Sequence, residues 1–262
     1  MYDLPSENPE EPGLPDEFHD FQPELLRMTF QPPTHRPDQI FSGSDMNLYY
    51  DLRHQNWYKR PDWFGVVGVS RFYERRDLRL SYVIWQEDVS PFVVVELLSP
   101  GTEDEDLGRT QPKPDQPPTK WQVYEQILQI PYYVIFSRYT ERLQVFTLQA
   151  GRYVELELSE PRVWLPEIRL GLGLWQGRHA GIERRWLRWY DAEDEWIPTE
   201  AEQERQRAEQ ERQRAEQERQ RAEQERQRAE QERQRAEQEQ QRADRLAERL
   251  RALGINPDDD TL

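Results

Sequence analysis

The chain has 262 residues, no cysteine, 35 basic and 51 acidic side chains and a net charge of −16 at pH 7. That balance excludes a general nucleic-acid binder with a basic surface, and the lack of cysteine excludes disulfides and thiolate metal sites. No apolar run approaches the ~20 residues a membrane span needs, and no basic-then-apolar signal opens the chain; a soluble, cytoplasmic protein with no membrane contact is expected.

The charge is unevenly placed. Residues 201–242 carry 12 Glu and 11 Arg, and residues 243–262 add five acids and three Arg, so −13 of the total falls on residues 1–200. The low hydrophobic content, 35%, is a property of the last sixty-odd residues. The remainder holds all nine tryptophans and is long enough to bury a sizeable core.

Residues 1–39 hold eight prolines and nine acids against two arginines, Arg27 and Arg36. Proline removes backbone donors and pushes its predecessor toward extended geometry, so this segment reads as a Pro-rich, acidic, extended leader. Leu25, Leu26, Met28 and Phe30 could dock it onto a core.

Residues 40–198 form the predicted domain. Short β-prone runs recur at Met46–Tyr50, Phe64–Val69, Leu80–Trp85, Phe92–Leu98, Tyr132–Phe136, Leu143–Leu148 and Tyr153–Leu158. The run Phe92–Leu98 is apolar on both faces, as a central strand would be, and a single glutamate breaks it. A polar loop from Gly101 to Pro118 precedes one helix, which Thr119 and Gln122 open as a capping box. Trp121, Tyr124 and Leu128 share a face of it. Strands, a helix, then more strands indicate a mixed α/β sheet with an antiparallel component. The aromatics Trp186, Trp189, Tyr190 and Trp196 read either as the closing edge of the core or as a base-stacking platform.

From Ala201 the heptad Ala-Glu-Gln-Glu-Arg-Gln-Arg occurs five times, and a sixth copy differs by Gln240. With Thr199 and Glu202 as a capping box, residues 199–254 predict a charged helix about 80 Å long at ~1.5 Å per residue, ending near Gly254 and Pro257. Each heptad offers one alanine where a coiled coil needs two apolar positions. The alternatives are a solitary helix held by Glu–Arg pairs at i, i+3 and i, i+4, or weak self-association giving a homodimer or a protein-partner surface. Residues 255–262 form an acidic tail.

Three positions carry candidate chemistry. Glu96 sits in the most apolar strand, where a carboxylate costs several kcal/mol unless paired or metal-bound, so it is a metal ligand, an acid/base group, or a strand-edge glutamate paired with an arginine. Lys120 is one of only three lysines, with Lys59 and Lys113. It lies in a first helical turn, where the macrodipole disfavours a cation; nearby carboxylates or a phosphate would offset that, and otherwise its tip bends into water. Asp62 follows Pro61 and opens an apolar strand, as a turn residue or as a ligand. Two acids on adjacent strands with a lysine suit a hard cation, Mg²⁺ or Mn²⁺. The four histidines (19, 35, 54, 179) show no ligand spacing, and no Gly-rich phosphate loop is present.

The segment from Asp45 to Leu158 resembles the Uma-two family of restriction endonucleases, within the PD-(D/E)XK nuclease superfamily. The matching pieces are Arg60-Pro61-Asp62, the run Val93–Thr102, Asp106, Lys120 with Tyr124, and Ile130–Ile135. The resemblance implies a restriction-endonuclease-like mixed β-sheet flanked by helices. It also implies that Asp62 and Glu96 chelate the metal together with the main-chain carbonyl of Leu97. Many superfamily members carry a lysine two residues after the glutamate; here that residue is Leu98, so Lys120 would supply the amine and assist the attacking water. Asp106 would orient the lysine or a second ion, and Tyr124 would support the site. The family's N-terminal helix is not recognisable, which leaves the helix-borne first acid unassigned, with Asp45 and Asp51 as candidates.

Two functions remain. One is a Mg-dependent endonuclease hydrolysing DNA, with arginines such as Arg71, Arg75, Arg76 and Arg109 gathered against the backbone. The other is a non-catalytic adaptor that keeps the nuclease fold.

Overall fold

The computed structural model of the protein describes residues 16–99, 103–111 and 116–253. The first fifteen residues of the leader, Pro100, Gly101 and Thr102 after the central run, Lys113, and the acidic tail with Gly254 and Pro257 lie outside the described residues. The chain divides into two compact units, Met1–Glu200 and Ala201–Leu262.

The expected extended leader gives way, within the described residues, to helix α1, Glu17–Thr29. Asp16 caps it, accepting from the amides of Phe18 at 2.9 Å and His19 at 3.1 Å. Pro23 lies inside the helix and has no N–H for the carbonyl of His19, a defect worth about 3 kcal/mol. Phe18, Leu25 and Leu26 are buried on one face, and at roughly 1.5–3 kcal/mol each their burial outweighs it. Gln22 pins the helix by bonding both the carbonyl and the amide of Leu187, at 2.9 and 2.8 Å.

Along the chain follow strands β1 (Ile40–Gly43), β2 (Leu48–Tyr49), β3 (Tyr58–Lys59), β4 (Trp63–Val67) and β5 (Tyr82–Val83), then helix α2 (Ile84–Glu87). The run Leu80–Trp85 is therefore a strand only at Tyr82–Val83 and turns helical after it. Next come β6 (Val93–Leu97), helices α3 (Glu103–Asp106) and α4 (Lys120–Gln122), and strands β7 (Tyr132–Ser137), β8 (Arg142–Gln149) and β9 (Arg152–Glu155). The capping box of Thr119 and Gln122 forms, and beyond Gln122 the helix widens into a π turn, Val123–Ile127.

The main sheet runs β1-β4-β6-β7-β8-β9. All its pairs are antiparallel except β6–β7, whose register sets Glu96 against Ile135. Parallel neighbours require a crossover; here the crossover carries α3 and α4, which places their side chains over the C-terminal end of β6. All five residues of β6 are buried. Val93, Val95 and Leu97 face one core with α1, and Val94 faces the other with Tyr124, the period-two alternation of a strand covered on both sides. The mixed α/β architecture of a restriction-endonuclease-like fold is what forms.

The first core is closed by a three-stranded antiparallel meander, β10 (Arg162–Leu165), β11 (Leu170–His179) and β12 (Ile182–Tyr190). Trp186, Trp189 and Tyr190 are buried in it, so they are core rather than a stacking platform. Within the second unit the heptads lie in helix α5 (Glu200–Ala252), of which no described residue is buried. Ion pairing there includes Arg233–Glu237 at 3.2 Å, beside glutamine–glutamate bonds such as Gln213–Glu209.

Candidate functional site

Asp62 precedes β4 by one residue, and the pairing of Trp63 with Val95 brings it beside Glu96. The Asp62 amide donates to Glu96 Oε2 at 3.3 Å, and the Leu97 amide donates to Asp62 Oδ2 at 2.6 Å. The Glu96 carboxylate is thus tied to the backbone of Asp62 and the Asp62 carboxylate to that of Leu97, as the β4–β6 register allows.

Glu96 is fully buried. Tyr124 Oη donates to its Oε1 at 2.9 Å, and Lys120 Nζ to its Oε2 at 3.2 Å. The same ammonium donates to Asp106 Oδ1 at 2.7 Å, and Asp106 is fully buried as well. The partner of Glu96 is therefore a lysine, not an arginine, and the tip of Lys120 is not bent into water. The Lys120 amide donates to Glu105 Oε1 at 3.2 Å, which also accepts from Lys59 Nζ at 3.1 Å. An acid at the helix N-terminus offsets the unfavourable placement of the lysine.

The electrostatics follow from burial and crowding. Burial pushes the Glu96 carboxyl well above the usual range; Asp106 and Asp62 add to this, and Lys120 and Tyr124 oppose it. Burial likewise raises Asp62, against the pull of Lys120 and His19. Burial disfavours the Lys120 cation, but the charges of Glu96, Asp106 and Asp62 win and hold it firmly protonated. Lys120 bonds Glu96 and Asp106, and Asp62 feels the charges of both Lys120 and His19.

Asp62, Glu96, Leu97, Asp106, Lys120 and Tyr124, the residues singled out in the sequence, converge here. Asp45 and Asp51 do not join them: the side chain of Asp45 pairs with Arg60, and that of Asp51 with His54 at 2.7 Å. Arg71, Arg75 and Arg76 lie past the far end of β4 and do not gather with Arg109. Arg109 instead borders a groove of about 410 Å³ with Ser99, Ser137, Tyr139 and Arg142, beside the ends of β6 and β7.

Sequence reasoning missed His19. From the third residue of α1 its Nε2 reaches the Leu97 carbonyl at 3.2 Å, and its Nδ1 meets Asp16 Oδ1 at 2.9 Å. Burial opposes protonation of the ring, but its hydrogen bond to Asp16 and the charges of Asp62 and Asp16 raise it to about 9. Burial opposes ionisation of Asp16, yet His19 and Arg138 hold it down at about 2. The signal lay in the spacing of Phe18, Leu25 and Leu26 after a capping aspartate, hidden by Pro23.

Oxygen donors for a cation are available from Asp62, Glu96 and the Leu97 carbonyl. Among the described residues no three His, Asp or Glu side chains stand together as a ready-made metal cage, and no helix is long and apolar enough to cross a membrane. A comparison with curated proteins finds no match. The family comparison does: residues 2–182 match the model of Uma2, described as "Putative restriction endonuclease". That match begins before α1 and reaches into β12, taking in far more than the segment from Asp45 to Leu158. The crossover site, the mixed sheet around it and the match over most of the chain agree, and the chain belongs to the Uma2 family.

Proposed function

We propose that the protein is a divalent-metal-dependent endonuclease that hydrolyses DNA phosphodiester bonds at the Asp62–Glu96–Lys120 cluster. The observation that carries this reading is the crowding of acids: Glu96 and Asp106, both fully buried, lie beside the half-buried Asp62, with Lys120 bonding the first two and His19 offsetting part of the charge on Asp62. Repulsion among them is a standing cost that a divalent cation would relieve further. The donor chemistry fits Mg²⁺ or Mn²⁺, since Mg²⁺ is commonly held by one or two carboxylates and keeps waters rather than needing a full protein cage.

A divalent ion held by Asp62, Glu96 and the Leu97 carbonyl would supply Lewis-acid polarisation of the scissile phosphate. The chain's own residues account for the rest. Lys120, held cationic, places positive charge where charge develops on the phosphate and orients the attacking water; it does not remove the water's proton. Asp106 fixes the direction of Nζ. Tyr124 fixes the rotamer of Glu96, and the π turn under it sets the reach of both side chains from one helix. Tyr133 Oη, bonded to the Asp106 carbonyl at 2.8 Å, braces α3. Arg109 and Arg142 at the neighbouring groove offer charge to the DNA backbone on a molecule that otherwise repels it.

One observation favours the adaptor reading: the carboxylates are already engaged by Lys120, Tyr124 and backbone amides. A titration separates the two. Under the nuclease reading Mg²⁺ or Mn²⁺ raises the melting temperature of the wild type and not of Glu96→Ala; an unchanged wild-type transition at millimolar metal supports the adaptor and defeats the nuclease.

A further inference from the structure

We infer that the groove at the ends of β6 and β7 is a nucleotide subsite that stacks an unpaired base on Tyr139, so that the strand cleaved is single-stranded or locally unpaired DNA. This rests on the nuclease reading above and names its substrate class.

The groove adjoins the acidic cluster through shared elements. Leu98 and Ser99, which line it, follow Leu97 directly, and the Leu98 amide donates to the Phe136 carbonyl at 2.8 Å, so the ends of β6 and β7 form one wall. Helix α3 gives Asp106 to Lys120 and Glu103 to the groove. A strand whose phosphate stands at the cluster therefore has a neighbouring nucleotide at the groove. The charge there has the right sign, since Arg109 and Arg142 outnumber Glu103. Arg109 meets Asp104 at 3.5 Å and Glu103 at 3.7 Å, and Arg142 meets Glu155 at 3.7 Å, exposed and loose pairs that a phosphate can replace. A second groove, about 290 Å³ between α1 and the residues after β1, sets Asp20, Glu24 and Asp45 against His19 and Arg27 and offers a phosphate no excess of positive charge.

Tyr139 supplies the aromatic face. It lies in the turn between β7 and β8, lines the groove and is 61% exposed, yet its ring is held. The Arg138 guanidinium stands 4.8 Å from the ring centroid and donates to Tyr139 Oη at 2.9 Å, and Arg138 is itself fixed by Asp16 and the ring of Phe18. A scattered exposed aromatic needs no explanation; one clamped beside two arginines in a groove is a stacking platform that loses little freedom when a base lands on it. A duplex fits less well. It carries one negative charge per about 1.7 Å of axis, and two arginines on a chain of net charge −16 answer few of them. Its bases are also stacked on one another and closed to Tyr139. A single strand has half the charge density and offers the faces of its bases.

The test is binding of the full chain, in chelator, to an oligothymidine carrying one 2-aminopurine and to a duplex of equal length at the same salt, beside cleavage of both with Mg²⁺ or Mn²⁺. The single strand is expected to bind about tenfold more tightly than the duplex, to have its 2-aminopurine fluorescence quenched by stacking, and to be cleaved faster. Tyr139→Ala loses the quenching and raises the Kd for the single strand about tenfold, with little change for the duplex, and Tyr139→Trp restores both. Arg142→Gln weakens binding of the two forms alike and lowers its salt dependence. The wild type compares the two DNA forms without any variant having to fold. A duplex bound and cleaved as well as the single strand, or a Tyr139→Ala that behaves as the wild type, overturns the subsite and leaves the nuclease standing. Single-strand binding that depends on Tyr139, with no cleavage in either metal, upholds the subsite and overturns the nuclease reading. Binding of neither form overturns the subsite.

Discussion

Two buried ion pairs sit in the same domain and could hardly be more different. Arg79 and Glu87 meet one to one, with guanidinium–carboxylate distances of 2.7 and 2.9 Å. Two further donors of Arg79 go to the carbonyls of Ser70 and Arg71 at 2.8 and 3.1 Å, and its face covers Phe41. The two charges answer each other, as a structural pair requires. At Glu96 three acids crowd around Lys120, with the ring of His19 offsetting part of the excess. Burial is common to both; what marks the second as a site is its lack of balance, since strain of this kind is retained where function uses it.

The largest effect expected from this comparison is on activity. Glu96→Ala or Lys120→Ala lowers DNA cleavage by about 10²–10³-fold or more. Arg79→Ala costs about 3–5 kcal/mol of stability, while its folded fraction cleaves at the wild-type rate; denaturant titration beside a plasmid-nicking assay reads both. Equal loss of activity in the two pairs would break the comparison.

Conservative amides sharpen it. Glu87→Gln leaves Arg79 buried without a counter-charge and destabilises by about 3 kcal/mol. Glu96→Gln, in chelator at pH 7, removes one of three crowded acids and stabilises by about 1–2 kcal/mol. The sign follows from linkage: a carboxyl raised in the folded state contributes stability at low pH and loses it as pH rises past the ordinary glutamate range, and the amide has no such loss. Urea unfolding from pH 4 to 8 gives both curves.

Asp16 with His19 belongs on the balanced side. Held at about 2 against a usual 3.8, Asp16 contributes stability that is present above pH 3.8 and lost as pH falls toward 2. Asp16→Asn flattens that acid limb by about 1–2 kcal/mol, allowing for screening by solvent. The smallest effect belongs to the solvated pairs of α5, where nothing is buried: deleting one heptad, residues 215–221, moves the unfolding transition of the Met1–Glu200 unit by less than about 0.5 kcal/mol.

What could be read in the sequence divides along the same physical line. Glu96 was legible because a lone carboxylate in an apolar strand breaks a local rule, and Lys120 because a capping box fixes its place in a first turn. Their meeting was legible only through the family resemblance, because it depends on a parallel β6–β7 pairing and a crossover that no local pattern encodes. Helix α1 was hidden because proline density, and Pro23 above all, outweighs the apolar spacing in local statistics, although burial outweighs proline in the folded chain. With α1 went Asp16 and His19. The meander went unread for the opposite reason: β11 alternates Leu170, Leu172 and Leu174 with Gly171 and Gly173, and glycine reads as a strand breaker. At Gly171 the structure shows the need for it, since a Cβ would stand 2.0 Å from the ring of Tyr190.

The most direct test of the central claim is cleavage of supercoiled and linear DNA, with and without Mg²⁺ or Mn²⁺, by the wild type and by Glu96→Ala purified in the same way. The account predicts cleavage by the wild type that requires the added metal, and none above background in the variant. Metal-independent cleavage, or equal cleavage by the two proteins, would contradict it.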